Sequence, residues 1–323
     1  MKVVIVGCKG FGKEHAKIYE KLGIDFSIVE RDKEAVGYCT SNFKVSKVYD
    51  SFEDSLKDDA EIFDIIVPNG LHKQFATAAM RMGKHVLLEK PISIDVDSGI
   101  DIIRASEENK VKFMVAEQYY FDPSVNEALR RIKNGEIGKV HTIIVRHQSF
   151  MMAKGWKKDS NLMGRGVLID EGTHFIDTFL NFGGDYNSLR SFVHSTGQAN
   201  GEDTIESIFT FQNGAHGIFF YSWHYPFQPK IPDFEILGND GSIYEDVETK
   251  PLEEEWAERK RKTGYGDLIV NGKHVAVDAS DIIEKEIGGF IDSVETGSNV
   301  PVPPEIALRD LITIDRIYKA SEF

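Results

Sequence analysis

The sequence predicts an α/β protein in two parts: a parallel sheet wound by helices over residues 1–120, and a mainly antiparallel α+β part over 121–323. Three observations carry this expectation. Short apolar runs at Val3–Val6, Phe26–Val29, Phe63–Val67, His85–Leu88 and Phe113–Ala116 lack in/out alternation, as strands covered on both faces do. Helical periodicity fills the intervals 12–22, 71–82 and 97–109, so the first part reads as a β-α-β series. After Asp122-Pro123 the texture changes to longer alternating strands, with turn dipeptides Asn213-Gly214, Asp240-Gly241 and Asn271-Gly272, each suited to the positive φ of a tight hairpin. Pro123 fits the first turn of a helix running to about residue 134, and further helices are expected near 171–182, 281–296 and 304–320. A chain of 323 residues also exceeds what one core of about 250–300 residues sustains.

A formal charge of −14 argues against a polyanion as partner, so no nucleic acid is expected. The one dense basic run, Arg259 to Lys262, follows Glu253 to Glu255 and reads as a self-paired solvated segment. Two cysteines, Cys8 and Cys39, supply neither a disulfide framework nor CxxC metal spacing, and no HExxH pattern occurs; no metal is expected. The apolar run Lys2–Val6 stops at Gly7 without a cleavage site, and no stretch approaches the roughly 18 apolar residues of a span. The chain therefore reads as cytoplasmic, with no membrane partner.

The first run leads into Gly7-Cys8-Lys9-Gly10-Phe11-Gly12-Lys13-Glu14-His15 and then a helix. A glycine turn at a helix start exposes backbone N–H groups to a pyrophosphate. The dinucleotide pattern GxGxxG fails only at Lys9, whereas GxxxxGK[ST] fails at Glu14, where a carboxylate replaces the Mg²⁺-binding hydroxyl. The dinucleotide reading survives better. Gly7, Lys9, Gly10, Phe11 and Gly12 are thus phosphate-loop candidates, Lys9 either steering pyrophosphate or pointing into water. Glu30 closes the second strand 18 residues after Gly12, near the spacing at which an acid takes the adenosine ribose hydroxyls. Its charge favours NAD over NADP; neighbouring Arg31 keeps NADP compatible by offering a partner to a phosphate.

Two further segments sharpen the pattern: Val67-Pro68-Asn69-Gly70-Leu71-His72 with Gly83 to Leu88 and Glu89-Lys90-Pro91, and Gly164-Arg165-Gly166-Val167-Leu168-Ile169-Asp170-Glu171-Gly172-Thr173-His174-Phe175-Ile176-Asp177. With the glycine loop, they resemble the glucose-fructose oxidoreductase and inositol dehydrogenase (Gfo/Idh/MocA) family. The likeness runs through Lys133–Val140 and on to the terminal region from Val302 to Ser321. It implies an N-terminal Rossmann dinucleotide-binding domain, then a C-terminal α+β domain built on a large, mainly antiparallel open sheet that commonly makes a homodimer or homotetramer contact. It further implies that Lys90, Asp170 and His174 form the catalytic group and that Pro68 and Asn69 lie beside the nicotinamide ribose. His72, Glu89, Lys90 and Gln118 join the cofactor set, although His72 by itself reads as a helix-start hydrogen-bonding residue.

The residue types suit hydride transfer between a nicotinamide and a carbinol or carbonyl carbon of a sugar, polyol or related substrate. His174 titrates near neutrality as a base should, and Lys90 can donate to the substrate oxygen. Asp170 and His174, four apart at an expected helix start, share a face; in isolation they would read as an ordinary surface pair. Tyr119, Trp156 and Arg165 complete the substrate set. Tyr119 and Tyr120 stand where the family often has Arg, and Arg165 interrupts a frequent glycine triplet. Asp177 suits either the pocket or buried packing, while His15 and His85 read as structural. Trp223 and Tyr225 read as packing aromatics before sugar-stacking ones. Two other functions fit the same residues: a glycosidase that oxidises its sugar transiently with bound NAD, and a non-catalytic sensor of dinucleotide or sugar.

Overall fold

The structure is a computed structural model that describes residues 1–227, 230–251 and 256–321. Residues Met1–Glu117 and Ile283–Leu308 form one compact unit, and Gln118–Ile282 with the segment from Arg309 onward forms a second. The division falls at Glu117/Gln118 rather than at 120. The return of Ile283–Leu308 to the first unit breaks the expected continuous segment 121–323, and neither composition nor periodicity signals it.

The first unit holds six parallel strands, β1 (Lys2–Val6), β2 (Asp25–Val29), β3 (Val45–Tyr49), β4 (Ile62–Ile65), β5 (His85–Glu89) and β6 (Phe113–Ala116), in the order β3-β2-β1-β4-β5-β6. Helices α1 (Gly12–Leu22), α2 (Lys33–Asn42), α3 (Phe52–Ser55), α4 (His72–Arg81) and α5 (Val96–Glu108) make the crossovers. Val3, Val4 and Ile5 are fully buried, which explains their unbroken apolar run. The strand order reverses at β1 and β4, and in such sheets ligands bind beyond the carboxyl ends at that point. Sequence periodicity misses β3 and α2. β3 is a half-exposed edge strand, and α2 buries only Ala35 and Cys39, too narrow a stripe to register. Its start is nevertheless capped, Asp32 accepting from the N–H groups of Glu34 and Ala35.

Cys8 and Cys39 are joined as a single disulfide, a pairing on which the absence of a disulfide framework had no bearing. They are 31 residues apart in sequence, but the β1–α1 turn and the buried side of α2 meet beyond the ends of β1 and β2.

The second unit is an eight-stranded sheet in the order β14-β13-β12-β11-β7-β10-β9-β8. The strands are β7 (Val140–Gln148), β8 (Tyr186–His194), β9 (Thr204–Phe211), β10 (His216–Ser222), β11 (Phe234–Gly238), β12 (Gly241–Glu245), β13 (Leu268–Val270) and β14 (Lys273–Val275). β7 and β10 pair in parallel and the remaining neighbours antiparallel. Helices α6 (Pro123–Lys133), α7 (Ser160–Met163), α8 (Val167–Asp170) and α9 (Thr173–Gly183) precede β8; after β14, α10 (Ile282–Thr296) belongs from Ile283 on to the first unit, and α11 (Pro304–Lys319) re-enters the second at Arg309. Phe179 of α9 packs its ring against Phe209, Phe211 and Phe219, which seats α9 on one face of the sheet.

All three turn dipeptides fall at antiparallel hairpins, by different geometries. Asn271 and Gly272 both take positive φ, whereas only Gly214 does so at the β9–β10 turn. At β11–β12 neither does: Asn239 and Asp240 make the turn, and Gly241 is glycine because a Cβ would collide with the Asn271 side chain. Glu253–Glu255 lie outside the described residues. Arg261 instead pairs with Asp267 at 2.7 Å, and Arg259 lies over the Trp256 ring.

Candidate functional site

In the first unit the glycine turn is shaped by close backbone approach. Gly7 has φ +98°, and a Cβ there would run into the Ile66 carbonyl at the end of β4; a Cβ on Gly12 would run into the Gly7 carbonyl. Gly10, also at positive φ, faces open space. These positions leave a side-chain-free surface at the start of α1, which fits a pyrophosphate. Lys9 does not stand alone in water: its ammonium pairs with Asp32 at 2.7 Å. Phe11 sets its ring edge-on to His15, with centroids 5.9 Å apart.

Glu30 anchors this turn. One carboxylate oxygen accepts from the Cys8 N–H at 3.1 Å, and the other from the Arg31 and Asp32 N–H groups at 2.8 and 2.9 Å. The acid thus stands at the end of β2 beside the loop, while the Arg31 side chain donates to the Asp50 carbonyl. Pro68 leads into a 3-10 turn over Asn69–Leu71, with Asn69 buried.

His72, placed in the expected cofactor set, makes contacts of the helix-start kind that its own position suggested. It is fully buried, and its ring nitrogens lie 2.7 Å from the Pro91 carbonyl and 2.9 Å from that of Val67. The ring sits between the Val67 loop and the segment after Lys90, its one N–H donating to one of the two carbonyls, and burial holds the imidazole below its usual range. Glu89 is buried at the end of β5, where a carboxylate oxygen accepts from the Lys90 N–H at 3.1 Å.

In the second unit, α8 ends at Asp170 and α9 begins at Thr173, so Asp170 and His174 sit on adjoining helices rather than on the single helix expected over 171–182. Both are buried. The His174 ring stacks on Tyr119, with centroids 4.5 Å apart and planes 15° from parallel; Phe175 and Tyr265 meet Tyr119 edge-on. Tyr119 therefore acts as the wall behind His174. Gln118 opens the same 3-10 turn, buried, its carboxamide oxygen without a donor among the described residues. Asp122 caps α6 and also accepts from the Gly264 and Tyr265 N–H groups; burial raises its carboxyl to about 6.

Sequence reasoning missed Lys157. Its ammonium lies 2.6 Å from Asp170 Oδ2 and 5.3 Å from the Trp223 ring centroid. Burial opposes the charge, but Asp170 and Glu171 hold the ammonium above its usual range. Glu171 in turn accepts from Trp223 Nε1 at 3.0 Å and Tyr221 Oη at 3.2 Å. The only sequence signal is adjacency to Trp156, and Lys154 and Lys158 share that neighbourhood. Trp223 is fully buried core, Tyr225 is partly exposed, and Trp156 has Lys157 over its ring.

Two further polar residues of the Gly164–Asp177 segment have partners in α11. Arg165 places its guanidinium over the Tyr318 ring and 3.6 Å from Asp315, both of α11. Asp177 is fully buried and pairs with Arg309 at 2.9 Å, settling it as helix packing. Among the described residues no group of three or more His, Cys, Asp or Glu is placed to hold a metal ion, and no helix is long and apolar enough to cross a membrane.

Comparison with known proteins follows the same division. Residues 1–117 match "Oxidoreductase family, NAD-binding Rossmann fold", and residues 125–244 match "GFO/IDH/MocA C-terminal domain". D-xylose 1-dehydrogenase (NADP(+)) 2 of Haloferax volcanii is 25% identical over 304 residues, covering 92% of this chain and 89% of its own. An oxidoreductase of Thermotoga maritima superposes with a TM-score of 0.87 at 23% identity, over 99% of this chain and 96% of that one. Levoglucosan dehydrogenase, solved with NADH and levoglucosan, gives 0.82 at 21% identity, over 99% and 97%.

Proposed function

The chain belongs to the Gfo/Idh/MocA family of NAD(P)-dependent oxidoreductases, and from that premise we propose that it transfers hydride between NAD and a carbinol carbon of a sugar or polyol, with His174 as acid/base and Lys90 polarising the oxygen. The observation that supports this reading best is the burial of Asp170 and His174 together at one break between helices, with the imidazole held flat against Tyr119. A histidine kept only for surface polarity would not be enclosed this way.

NAD, when bound, supplies the hydride acceptor; the chain's own residues do the rest. Gly7 to Gly12 receive the pyrophosphate, and Glu30 meets the adenosine ribose. His174 takes the hydroxyl proton as the C–H bond breaks, and Lys90 donates to the oxygen as it gains charge. Lys157 holds the Asp170 carboxylate in place through their 2.6 Å ion pair, ready to accept from a neighbouring substrate hydroxyl. Lys157→Met is expected to lower kcat/KM about 10- to 100-fold, the range for losing a charged hydrogen bond, with NADH affinity unchanged.

The test is a panel of aldoses, inositols and anhydrosugars, D-xylose and levoglucosan among them, followed by absorbance with NAD⁺ and with NADP⁺. Reduced cofactor should form with at least one sugar, and faster with NAD⁺, since Glu30 repels a 2′-phosphate. A glycosidase with transient oxidation would cleave glycosides without net NADH; a sensor would bind and do neither. Strong preference for NADP⁺ would overturn the role given to Glu30.

We also propose that the outward face of the larger sheet joins copies into a homodimer or homotetramer. Ile144, Ile218 and Ile208 stand side by side across β7, β10 and β9, and Ile208 and Ile218 are 58% and 45% exposed, an apolar row that isolated surfaces rarely show. Ile208→Asp should shift the mass measured by light scattering toward the monomer; an unchanged mass would move the contact elsewhere.

A further inference from the structure

The reading above uses Lys90 but leaves unexplained a polar cluster buried inside the first unit. His15 of α1, Asp64 of β4 and Glu286 of α10 are fully buried; Glu89 of β5 and Glu117, just beyond β6, are nearly so. Four carboxylates and one imidazole in a sheet core are costly unless they neutralise one another. His15 Nδ1 lies 2.7 Å from Asp64 Oδ2, and its Nε2 lies 3.3 Å from Glu89 Oε1. The other oxygen of Glu89 takes the main-chain N–H of Lys90. Asp64 is thus hydrogen-bonded to His15, His15 stands at ion-pair distance from Glu89, and Glu89 takes the backbone N–H of the lysine.

The charges agree with the geometry. Burial alone would depress the imidazolium, but Asp64 and Glu89 together hold it well above its usual range. Burial, reinforced by Glu89, pushes the Glu286 carboxyl well up, so the cluster keeps Glu286 neutral and spends its one cation between Asp64 and Glu89.

We propose that His15 is a positioning residue for the hydride-transfer reaction: bridging Asp64 to Glu89, it fixes the Glu89 carboxylate and, through the Lys90 N–H, the point from which the lysine side chain departs. This rests on the catalytic reading of Lys90. The sequence reading of His15 as a packing histidine is too weak for a cation between two acids. Glu89 then has a purpose distinct from touching cofactor, as the link between a charged core and the residue that follows it. Without the cation, the Glu89 carboxylate loses the charged partner that fixes its orientation, and the lysine loses its fixed origin.

The test uses His15→Asn, Glu89→Gln and the double variant, assayed with whichever sugar of the panel gives the highest kcat/KM. Each single variant should lose about 10- to 100-fold in kcat, with KM and the NADH dissociation constant within about twofold of the parent. The double variant should be no slower than the worse single one, because both act through one linkage. Undiminished kcat in His15→Asn, or losses that multiply in the double variant, would overturn the proposal. If His15→Asn fails to fold by circular dichroism, isosteric Glu89→Gln alone decides: parental kcat refutes the linkage. Absence of turnover with every sugar in the parent would instead remove the catalytic reading of Lys90, and this inference with it.

Discussion

His174→Ala is expected to lower kcat by about 10²- to 10⁴-fold, the range for deleting a positioned general acid/base, and to leave NADH affinity nearly unchanged. The binding half of the expectation follows from placement: His174 belongs to the second unit, whereas the glycine turn and Glu30 belong to the first. The catalytic half follows from confinement. Tyr119 covers one face of the imidazole, and the near-parallel stack leaves the ring little freedom to swing away. Alanine leaves a void in front of the Tyr119 ring, and Tyr119→Phe tests the wall separately. It keeps the wall, and turnover should stay close to the parent's. Equal turnover in His174→Ala and the parent would withdraw the histidine from the reaction and leave Asp170 and Lys90 as the proton-handling candidates.

How much of this was legible beforehand depends on whether chemistry or packing decided each position. The parallel strands were readable because a strand buried on both faces has to be apolar throughout, and Val3 to Val6 are. β3 escaped because a half-exposed edge strand does not. Lys90, Asp170 and His174 were singled out through a resemblance of motif, and the burial of Asp170 and His174 is what the structure adds to that reading. Lys157 was not singled out, since nothing in a sequence says which of three nearby lysines will turn toward a buried aspartate 13 residues on. His72, Arg165 and Asp177 show the converse: polar residues within such a motif also satisfy carbonyls, an aromatic face and a half-buried arginine, uses that spacing alone does not reveal. The Cys8–Cys39 bond and the return of Ile283–Leu308 depend on tertiary closure, for which local periodicity carries no information.

Gly7→Ala should be the most damaging conservative change in the first unit, because two costs coincide there. The residue holds φ +98°, where a side chain costs about 1–3 kcal/mol, and the new Cβ would drive into the Ile66 main-chain oxygen, which cannot rotate aside. Relief requires moving β1 from β4, and Gly7 also donates its N–H to the Val29 carbonyl of β2 at 3.0 Å, so the displacement disturbs both neighbours of the central strand. A loss of about 3 kcal/mol or more in urea unfolding is expected, with NADH binding lost at concentrations that saturate the parent. Gly10→Ala supplies the contrast. Gly10 also has positive φ but nothing within 4 Å of its Cβ position, so only the backbone cost of about 1 kcal/mol applies. The ratio between the two variants measures how hard the loop presses on the sheet. Equal losses would mean that the turn stands clear of β4, and that its glycines serve conformation alone rather than the close approach on which a pyrophosphate cradle depends.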